Sequence, residues 1–444
     1  MNFDDALQYL LSLGHETLAI KLGLTNTERL LEALGNPQTS FPSVQIAGTN
    51  GKGSTAVMLE AIARAVRLKT GLYTSPHLVN ITERIRINNQ EISREDFAHL
   101  TAQVRNAAKR LLFEGMLETL PTFFEHLTAI ALVVFAEARV QLAILETGLG
   151  GRLDATTTAR AQVVAITPVA LDHQEYLGGT LAEIAAEKAA IIRPGVIALV
   201  APQEREALDV ILERCAASGV TPRLSGCQVK VTGVCDVGRV RATFETNEDC
   251  YENVQLGLRG RHQLTNASLA IALAEALRER GFPLPHEAII EGLESARHAG
   301  RLELRRVGET LILFDGAHNA AGAHALRDFL DEFVLTPITL IFGAMRDKDL
   351  TEIAATLFPI ARQLILTRPS NPRSASTEML ARFVPTDFDP DNLTLVSSIA
   401  EALKTAYRET PPGGLICITG SLYLVGEAIQ MIDSGLAQES RKHS

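Results

Sequence analysis

A glycine-rich turn that follows a short apolar run carries the clearest chemical signal in the chain. It consists of Gly48, Thr49, Asn50, Gly51, Lys52, Gly53 and Ser54. Its three glycines let backbone N–H groups converge on phosphate oxygens, and the helix expected next adds positive potential at its N-terminus. A lysine in such a loop reaches the β- and γ-phosphates of a nucleotide. The segment therefore predicts an ATP-binding phosphate loop.

The spacing of this loop departs from the common GxxxxGK[ST] pattern. Position 46 is Ile46, and Gly53 separates Lys52 from the hydroxyl of Ser54. One alternative is a plain turn with a solvated lysine. Another is a dinucleotide fingerprint at residues 148–153, but that pattern ends on leucine where a small residue should pack. The strand before the loop and the helix after it favour the phosphate loop.

Polar side chains follow three of the predicted strands. Glu146 closes the apolar run 141–146, His173 follows the run 162–167, and Ser75 follows another short run. Because the carboxyl ends of parallel strands meet at one edge of a sheet, we expect these side chains to converge beside the phosphate loop. A carboxylate there could hold Mg²⁺ directly or through water. Taken singly, each residue also fits an ordinary polar loop or cap position.

The predicted secondary structure around these residues follows an α/β pattern. Apolar runs at 44–47, 141–146, 162–167 and 196–200 alternate with helical stretches such as 55–66 and 122–138. Such runs lack period-two alternation, which is typical of parallel strands covered on both faces. An N-terminal, mostly parallel sheet with flanking helices is therefore predicted. Short alternating runs between residues 215 and 260 predict a small antiparallel region.

A second α/β series occupies the C-terminal third of the chain. Its predicted strands are 311–315, 338–342, 363–367 and 415–419, and its predicted helices are 323–333, 350–357, 398–407 and 423–432. This pattern predicts a smaller, Rossmann-like domain. We place the domain boundary in a polar segment, which gives residues 1–297 and 298–444, and we expect residues 438–444 to fray.

Charge and composition exclude several classes of protein. The chain has 42 Lys and Arg against 52 Asp and Glu, a formal charge of −10. This balance argues against a surface built for nucleic acid or for anionic lipid. The first ten residues lack a signal peptide's basic start and apolar run, so a cytoplasmic protein is expected. Neither a transmembrane helix nor a cysteine-based metal site is predicted.

The shortened loop GTNGKGS resembles the phosphate loop of the Mur ligase family. Further motifs resemble its folate branch, the dihydrofolate and folylpolyglutamate synthases. They are YTSPHL from Tyr73, TFFE from Thr122, ILETGLGGRLDAT from Ile144, LDHQEYLG from Leu171, AEKAAII from Ala186, FDGAHN from Phe314, RDKD from Arg346 and GSLYLVG from Gly420. The motifs follow the family's order over nearly the whole chain.

This resemblance implies both an architecture and a reaction. The first domain would be an ATP-binding domain like the Mur ligase central domain, with a pterin site, and the second a glutamate ligase domain. The reaction would add L-glutamate to dihydropteroate, which forms dihydrofolate, and to the γ-carboxylate of reduced folates. It would pass through an acyl phosphate and release ADP and phosphate. A bifunctional enzyme is favoured, with a single-activity synthase as the near alternative.

The resemblance also implies roles for individual residues. Ser75, Glu146 and His173 would bind Mg²⁺, and Lys52 and His173 would take part in catalysis. Asn266, Arg301 and Asp315 would complete the ATP site. From its type alone, an aspartate that ends a strand can instead cap a helix. The family motif around DGAHN usually continues with proline, where this chain has alanine.

Lys188 has two readings. By default a lysine in AAEKAA is a solvated helix residue. The resemblance implies a carbamylated lysine, N6-carboxylysine, whose anionic oxygens could bind or orient a cation. Ala190 stands where we expect glycine, which is a departure from the family pattern.

A pterin site is implied by two further segments. The residues are Thr122, Phe123, Phe124, Arg152, Leu153 and Asp154. Aromatic rings suit a flat heterocycle by stacking. From composition alone, a pair of phenylalanines belongs more often to a hydrophobic core, so this assignment depends on the resemblance.

The expected cofactor is Mg²⁺, and ATP is expected as a substrate. A monovalent cation is an optional addition. Expected partners are small molecules, namely dihydropteroate, reduced folates, L-glutamate and ATP, with no nucleic acid and no membrane, and a monomer is expected. Two other hypotheses stay open: a Mur-type ligase for a cell-wall precursor, and a P-loop NTPase that drives a conformational switch. The short stretch before the phosphate loop disfavours the cell-wall ligase, which usually carries an additional N-terminal domain.

Overall fold

The computed structural model describes residues 1–14 and 23–435. The predicted fraying of residues 438–444 lies outside these ranges. Within them, no helix combines the length and the apolar character that crossing a membrane requires.

Fifteen helices and seventeen strands are present in the described part of the chain. The helices are α1 (Phe3–Ser12), α2 (Thr25–Ala33), α3 (Lys52–Ala65), α4 (Arg94–Phe113), α5 (Phe123–Glu137), α6 (Gln174–Leu177), α7 (Leu181–Ala189), α8 (Arg205–Ala217), α9 (Gln263–Glu279), α10 (His286–Ser295), α11 (Ala320–Phe333), α12 (Leu350–Leu357), α13 (Thr377–Ala381), α14 (Ile399–Glu409) and α15 (Leu422–Asp433). The strands are β1 (Ser43–Ala47), β2 (Thr70–Tyr73), β3 (Ile85–Ile87), β4 (Gln90–Glu91), β5 (Leu142–Glu146), β6 (Val163–Ile166), β7 (Ile197–Val200), β8 (Arg223–Leu224), β9 (Gln228–Cys235), β10 (Arg239–Glu245), β11 (Cys250–Arg259), β12 (Glu303–Val307), β13 (Thr310–Phe314), β14 (Ile338–Phe342), β15 (Gln363–Leu366), β16 (Leu393–Leu395) and β17 (Leu415–Thr419).

The first large sheet has the order β4-β3-β2-β5-β1-β6-β7-β8. Strands β2, β5, β1, β6, β7 and β8 run parallel, and only the β3 and β4 edge is antiparallel. Its central strands are apolar on both faces because helices cover both. In β5, Leu142 and Ile144 pack with α3 and α9, whereas Ala143 and Leu145 pack with α4 and α5. The predicted mostly parallel sheet is confirmed.

The second large sheet has the order β12-β13-β17-β14-β15-β16. Every neighbouring pair is parallel except β12 and β13. Helices α11 and α12 pack on one face, and α14 and α15 pack on the other. The predicted α/β fold class, with two parallel-rich sheets, is therefore confirmed. We call the part around the first sheet the first lobe and the part around the second sheet the second lobe.

The antiparallel region that precedes the link is smaller than its sequence pattern suggested. Strands β9, β10 and β11 form a three-stranded antiparallel sheet, and β11 packs on α10. The region was expected to begin at residue 215, but α8 extends to Ala217 and β8 joins the first sheet. The link between the lobes spans residues 296–302, and our division at residues 297 and 298 remains a proposal.

Candidate active site

A single cleft between the lobes gathers nearly all of the predicted site residues. Its cavity has a volume of about 560 Å³. The first lobe contributes the loops at the carboxyl ends of β1, β5 and β6, and the second contributes the residues around the starts of α11 and α15. This is the edge at which ligands of parallel sheets bind. Every residue predicted for ATP, metal or pterin lines this cavity except Phe123.

The phosphate loop connects β1 to α3 through tight backbone contacts. Gly51 stands at the N-cap of α3 with φ of 87°. A Cβ atom there would collide with the side chain of Asn266, and one on Gly48, whose φ is 145°, would collide with Thr167. Both positions therefore require glycine. The Nζ of Lys52 donates to the carbonyl of Thr49 at 3.2 Å, so the lysine lies folded over its own loop.

Glu146 provides a buried carboxylate beside this loop. It ends β5, is 5% exposed, and its Oε2 accepts a hydrogen bond from the backbone N–H of Ser75 at 3.1 Å. Burial raises the pKa of Glu146, while Lys52 and Arg301 act to lower it. Oxygen donors of this kind are the ligands that Mg²⁺ prefers. Glu146 and the hydroxyl of Ser75 therefore suit a Mg²⁺ ion that a nucleotide brings with it.

His173 follows β6 with a left-handed backbone, φ of 52°. Burial lowers the pKa of its imidazole to about 4, despite the opposing effect of Asp172, so the ring is neutral and keeps a lone pair. Across the described residues, 1–14 and 23–435, no group of three or more His, Cys, Asp or Glu side chains is preformed as a metal site. A cation would therefore rely on Ser75, Glu146 and His173 together with oxygens of its own ligand.

Lys188 does not follow its default reading as a solvated helix lysine. The residue is 4% exposed, and its Nζ donates to the backbone carbonyl of Gly48 at 2.8 Å. Burial, together with a smaller effect of the positive charge of Lys52, lowers the pKa of Lys188 to about 7. The amine therefore lies under the phosphate loop and is partly neutral near pH 7.

The two neighbouring phenylalanines of the predicted pterin site point to different places. The ring of Phe124 lines the cleft, where a Cβ atom on Gly148 would collide with it, and lies 5.9 Å from the ring of Tyr73. Phe123, the first residue of α5, is 4% exposed and belongs to the core that α4 and α5 share. The guanidinium of Arg84 lies 5.6 Å from its ring. The prediction that Phe123 contacts the pterin therefore needs correction, since successive helix residues point in different directions.

Other members of the pterin set make local contacts. Asp154 accepts hydrogen bonds from the N–H groups of Gly148 and Leu149 and from both the N–H and the hydroxyl of Thr156. The four donors occupy both oxygens of the Asp154 carboxylate, so Asp154 shapes the loop after β5. In the same segment, the Nε of Arg152 donates to Glu187 at 2.9 Å.

Thr122 and Leu153 complete the pterin set. Thr122 is the N-cap of α5, where its hydroxyl accepts from the N–H of Glu125. Leu153 lines the cavity next to Asp154.

The second lobe contributes a buried carboxylate, Asp315, which follows β13 and binds the end of the link. Asp315 is 8% exposed and accepts hydrogen bonds from the N–H groups of Leu302 and Ala317, both at 2.9 Å. Burial raises the pKa of Asp315, while Arg301 opposes this shift. The alternative reading of Asp315 as a helix cap is wrong, because Asn319 caps α11.

Four residues that make polar contacts in or beside the cleft were not among the predicted site residues. Asp172 accepts from the Nζ of Lys348 at 2.7 Å and from the amide of Asn319 at 3.1 Å, across the two lobes. The same Asn319 amide donates to Asn50 of the phosphate loop at 3.1 Å. The fourth residue, His298, has its Nδ1 3.3 Å from the hydroxyl oxygen of Ser54. The motifs LDHQ, FDGAHN and RDKD contain the first three, but no motif marks His298.

Comparisons with known proteins agree with this geometry. The Mur ligase middle domain matches residues 46–274, and the Mur ligase glutamate ligase domain matches residues 300–422. The dihydrofolate synthase/folylpolyglutamate synthase of Mycobacterium tuberculosis is 33% identical over 415 residues, which cover 90% of this chain and 85% of that protein.

A solved structure of the Mycobacterium tuberculosis folylpolyglutamate synthase complexed with ADP superimposes with a TM-score of 0.89 at 32% identity. The match covers 97% of this chain and 99% of that one.

A relative in Halobacterium salinarum is described as a probable bifunctional folylpolyglutamate synthase/dihydropteroate synthase. It is 34% identical over 430 residues, which are 96% of this chain and 51% of that protein. This chain therefore spans about half the length of that curated relative. On the strength of both domain matches and the similarity to the Mycobacterium tuberculosis enzyme, the chain belongs to the Mur ligase family, in the branch that contains the folylpolyglutamate and dihydrofolate synthases.

Proposed function

We propose that this protein is an ADP-forming ligase that joins the amine of L-glutamate to a carboxylate carried by a pterin compound. The observation that carries the proposal is the cleft, where Lys52 and Glu146 of the first lobe and Asp315 of the second lobe line one cavity. Binding sites for ATP, a carboxylate and an amine must share one space if the reaction is to exclude water. Family membership supports the same reaction class.

ATP is the proposed energy source and occupies the phosphate loop. The relative crystallised with ADP supports this part of the proposal. The loop, the N-terminus of α3 and Lys52 offer positive potential to the phosphates. Asn266, Arg301 and Asp315 complete the nucleotide site.

The proposed acceptors are dihydropteroate and reduced folates, which would make the enzyme bifunctional. Phe124 forms an aromatic wall of the cleft on which a pterin ring could stack, next to Leu153 and Arg152. The name of the Mycobacterium tuberculosis relative, which contains both activities, supports bifunctionality. The alternative is a single-activity synthase, whose pocket would accept only one of the two acceptors.

The proposed chemistry has two steps. A carboxylate oxygen of the acceptor attacks the γ-phosphorus of ATP, the bond between the β–γ bridging oxygen and that phosphorus breaks, and ADP leaves. The amine of glutamate then attacks the acyl carbon, loses a proton, and phosphate leaves. No protein nucleophile is required, so the residues act by positioning and by stabilising negative charge.

Each residue has a role in that scheme. Lys52 would swing from Thr49 to the transferring phosphoryl group, and Ser75, Glu146 and His173 would hold Mg²⁺, which supplies charge neutralisation when bound. Lys188 would carry CO₂ as a carbamate. The buried, partly neutral amine supports this role, since only a neutral amine reacts with CO₂. A monomer and an optional monovalent cation remain part of the proposal.

The test is ADP release by the purified protein with Mg-ATP and glutamate. Four conditions are compared: no acceptor, dihydropteroate, tetrahydrofolate and a uridine-linked cell-wall precursor. Stimulation by both pterins is the expected result, and stimulation by one indicates a single-activity synthase. Lys52→Ala serves as the control for contaminating ATPase. ADP release that neither pterin stimulates would contradict the folate assignment. Stimulation by the uridine-linked precursor would then indicate a cell-wall ligase. ADP release that no acceptor stimulates would indicate an NTPase switch.

A further inference from the structure

A histidine in the link between the lobes touches the phosphate loop, and no role above uses it. His298 lies between α10 and β12, with its Nδ1 3.3 Å from the Oγ of Ser54. A Cβ atom on Gly53 would lie 2.8 Å from the Cε1 of the imidazole and 3.3 Å from its Nε2. The ring therefore packs directly against the backbone of the phosphate loop.

On its other side, the link is fixed to the second lobe. The N–H of Gly316 donates to the carbonyl of Gly300 at 2.9 Å, and the N–H of Leu302 donates to the carboxylate of Asp315 at 2.9 Å. Residues 298–302 of the link thus contact the phosphate loop at one end and the residue after β13 at the other. His298 is the side chain of the link that is hydrogen-bonded to the loop.

The hydroxyl of Ser54 gives this contact a chemical purpose. Ser54 is the third residue of α3, is 6% exposed and lines the cleft. A hydroxyl group has one donor and two acceptor positions and rotates freely unless a partner holds it. With the Nδ1–H of His298 as the donor, this hydrogen bond uses an acceptor position of the Ser54 oxygen and restricts that rotation. The hydroxyl hydrogen then remains available to donate to a phosphate oxygen in the cleft.

We propose that His298 is a positioning residue that orients the Ser54 hydroxyl toward the nucleotide phosphates and thereby couples nucleotide affinity to the link between the lobes. The proposal deepens the proposed function and rests on it only in taking the loop as a nucleotide site. The ordering of Ser54 before the nucleotide arrives reduces the entropy that binding costs. Loss of the imidazole should therefore weaken nucleotide binding.

The test is the dissociation constant of ADP, measured by titration calorimetry without acceptor or glutamate. His298→Leu is expected to raise it about five-fold, the effect of one neutral hydrogen bond. His298→Asn places an amide near the position of Nδ1 and is expected to restore tight binding. His298→Gln places its amide near the position of Nε2 and is not. His324→Leu, an exposed histidine of α11, is the matched control and should leave the constant unchanged.

A double-mutant cycle separates positioning from general damage to the fold. In a Ser54→Ala background, His298→Leu should have no further effect, because its hydrogen-bond partner is gone. Equal affinity of the wild type and His298→Leu would overturn the inference while leaving the proposed function intact. So would equal weakening by Leu, Asn and Gln, since that pattern indicates lost packing. A wild-type protein that fails to bind ADP would contradict the proposed function as well.

Discussion

Among the buried ionisable side chains of the cleft, three have roles in the proposed chemistry. Glu146, Lys188 and Asp315 are each less than one-tenth exposed. Burial raises the pKa of the two carboxyl groups and lowers that of the lysine to about 7. Perturbed groups of this kind concentrate at functional sites, because catalysis needs ionisation states that water alone would not produce. Their presence in one cleft supports the proposed chemistry.

The first prediction concerns Lys188. Lys188→Ala should lose most acceptor-dependent ADP release and recover part of it with a small carboxylic acid, because a carboxylate supplies the oxygens that the carbamate would provide. At a fixed concentration of dissolved CO₂, the activity of the wild type should rise as the pH rises through about 7, where the amine loses its proton. Both are measured as initial rates.

Two controls accompany this prediction. Lys404→Ala, which removes an exposed helix lysine, should leave the rate unchanged. Lys188→Arg keeps the positive charge but forms no carbamate, so it should stay inactive whatever the supply of CO₂. Full activity of Lys188→Ala without an additive would exclude the carbamate.

At the level of elements, the loop after β5 lies close to α5. This contact defines the aromatic wall of the cleft. Gly148 lies on that loop directly under the ring of Phe124. The N–H of Gly148 donates to Asp154 at 2.8 Å, which holds the loop in this position. The absence of a side chain at residue 148 is therefore what allows Phe124 its present orientation.

The second prediction follows from this contact. Gly148→Ala should displace the ring of Phe124 and raise the KM for dihydropteroate about ten-fold, the effect of a moderately overpacked contact. The dissociation constant of ADP should change little, since the phosphate loop is a separate segment. Gly226→Ala, at a glycine with open space around it, is the matched control. An unchanged KM would argue against Phe124 as the pterin wall.

At the level of the whole molecule, the polar contacts that join the lobes include two ion pairs of different kinds. Asp172 and Lys348 form an ion pair at 2.7 Å whose side chains are only 8% and 11% exposed. Arg261 and Glu332 form a second pair, at 2.6 Å, whose side chains are 50% and 35% exposed. Exposed pairs contribute little because solvent and salt screen them, whereas a broken buried pair leaves an uncompensated charge.

The third prediction compares these two pairs. Asp172→Asn should weaken the contact between the lobes and increase the radius of gyration of the nucleotide-free protein, measured by small-angle X-ray scattering. It should also lower the free energy of unfolding by about 3 kcal/mol, as expected for one broken buried pair. Glu332→Gln is the control and should change neither quantity measurably. Equal radii for all three proteins would show that the Asp172 pair does not hold the lobes together.

The two parallel sheets and the family could be predicted from the sequence alone. Uniformly apolar runs predicted parallel strands covered on both faces. Glycines and a lysine at close spacing predicted the phosphate loop. Both predictions were possible because each pattern is local. The separate motifs pointed to the Mur ligase family for the same reason, since each is a short contiguous segment.

Which side chains meet depends on the tertiary structure and could not be predicted from local patterns. Phe123 and Phe124 look alike in sequence, yet one lies in the core and the other lines the cleft, because each helix residue points in its own direction. Lys188 is buried because the phosphate loop covers it. The contacts of Asp172 with Lys348 and of Ser54 with His298 join residues 176 and 244 positions apart. Such contacts depend on how the two lobes and their link pack together, which no local pattern encodes.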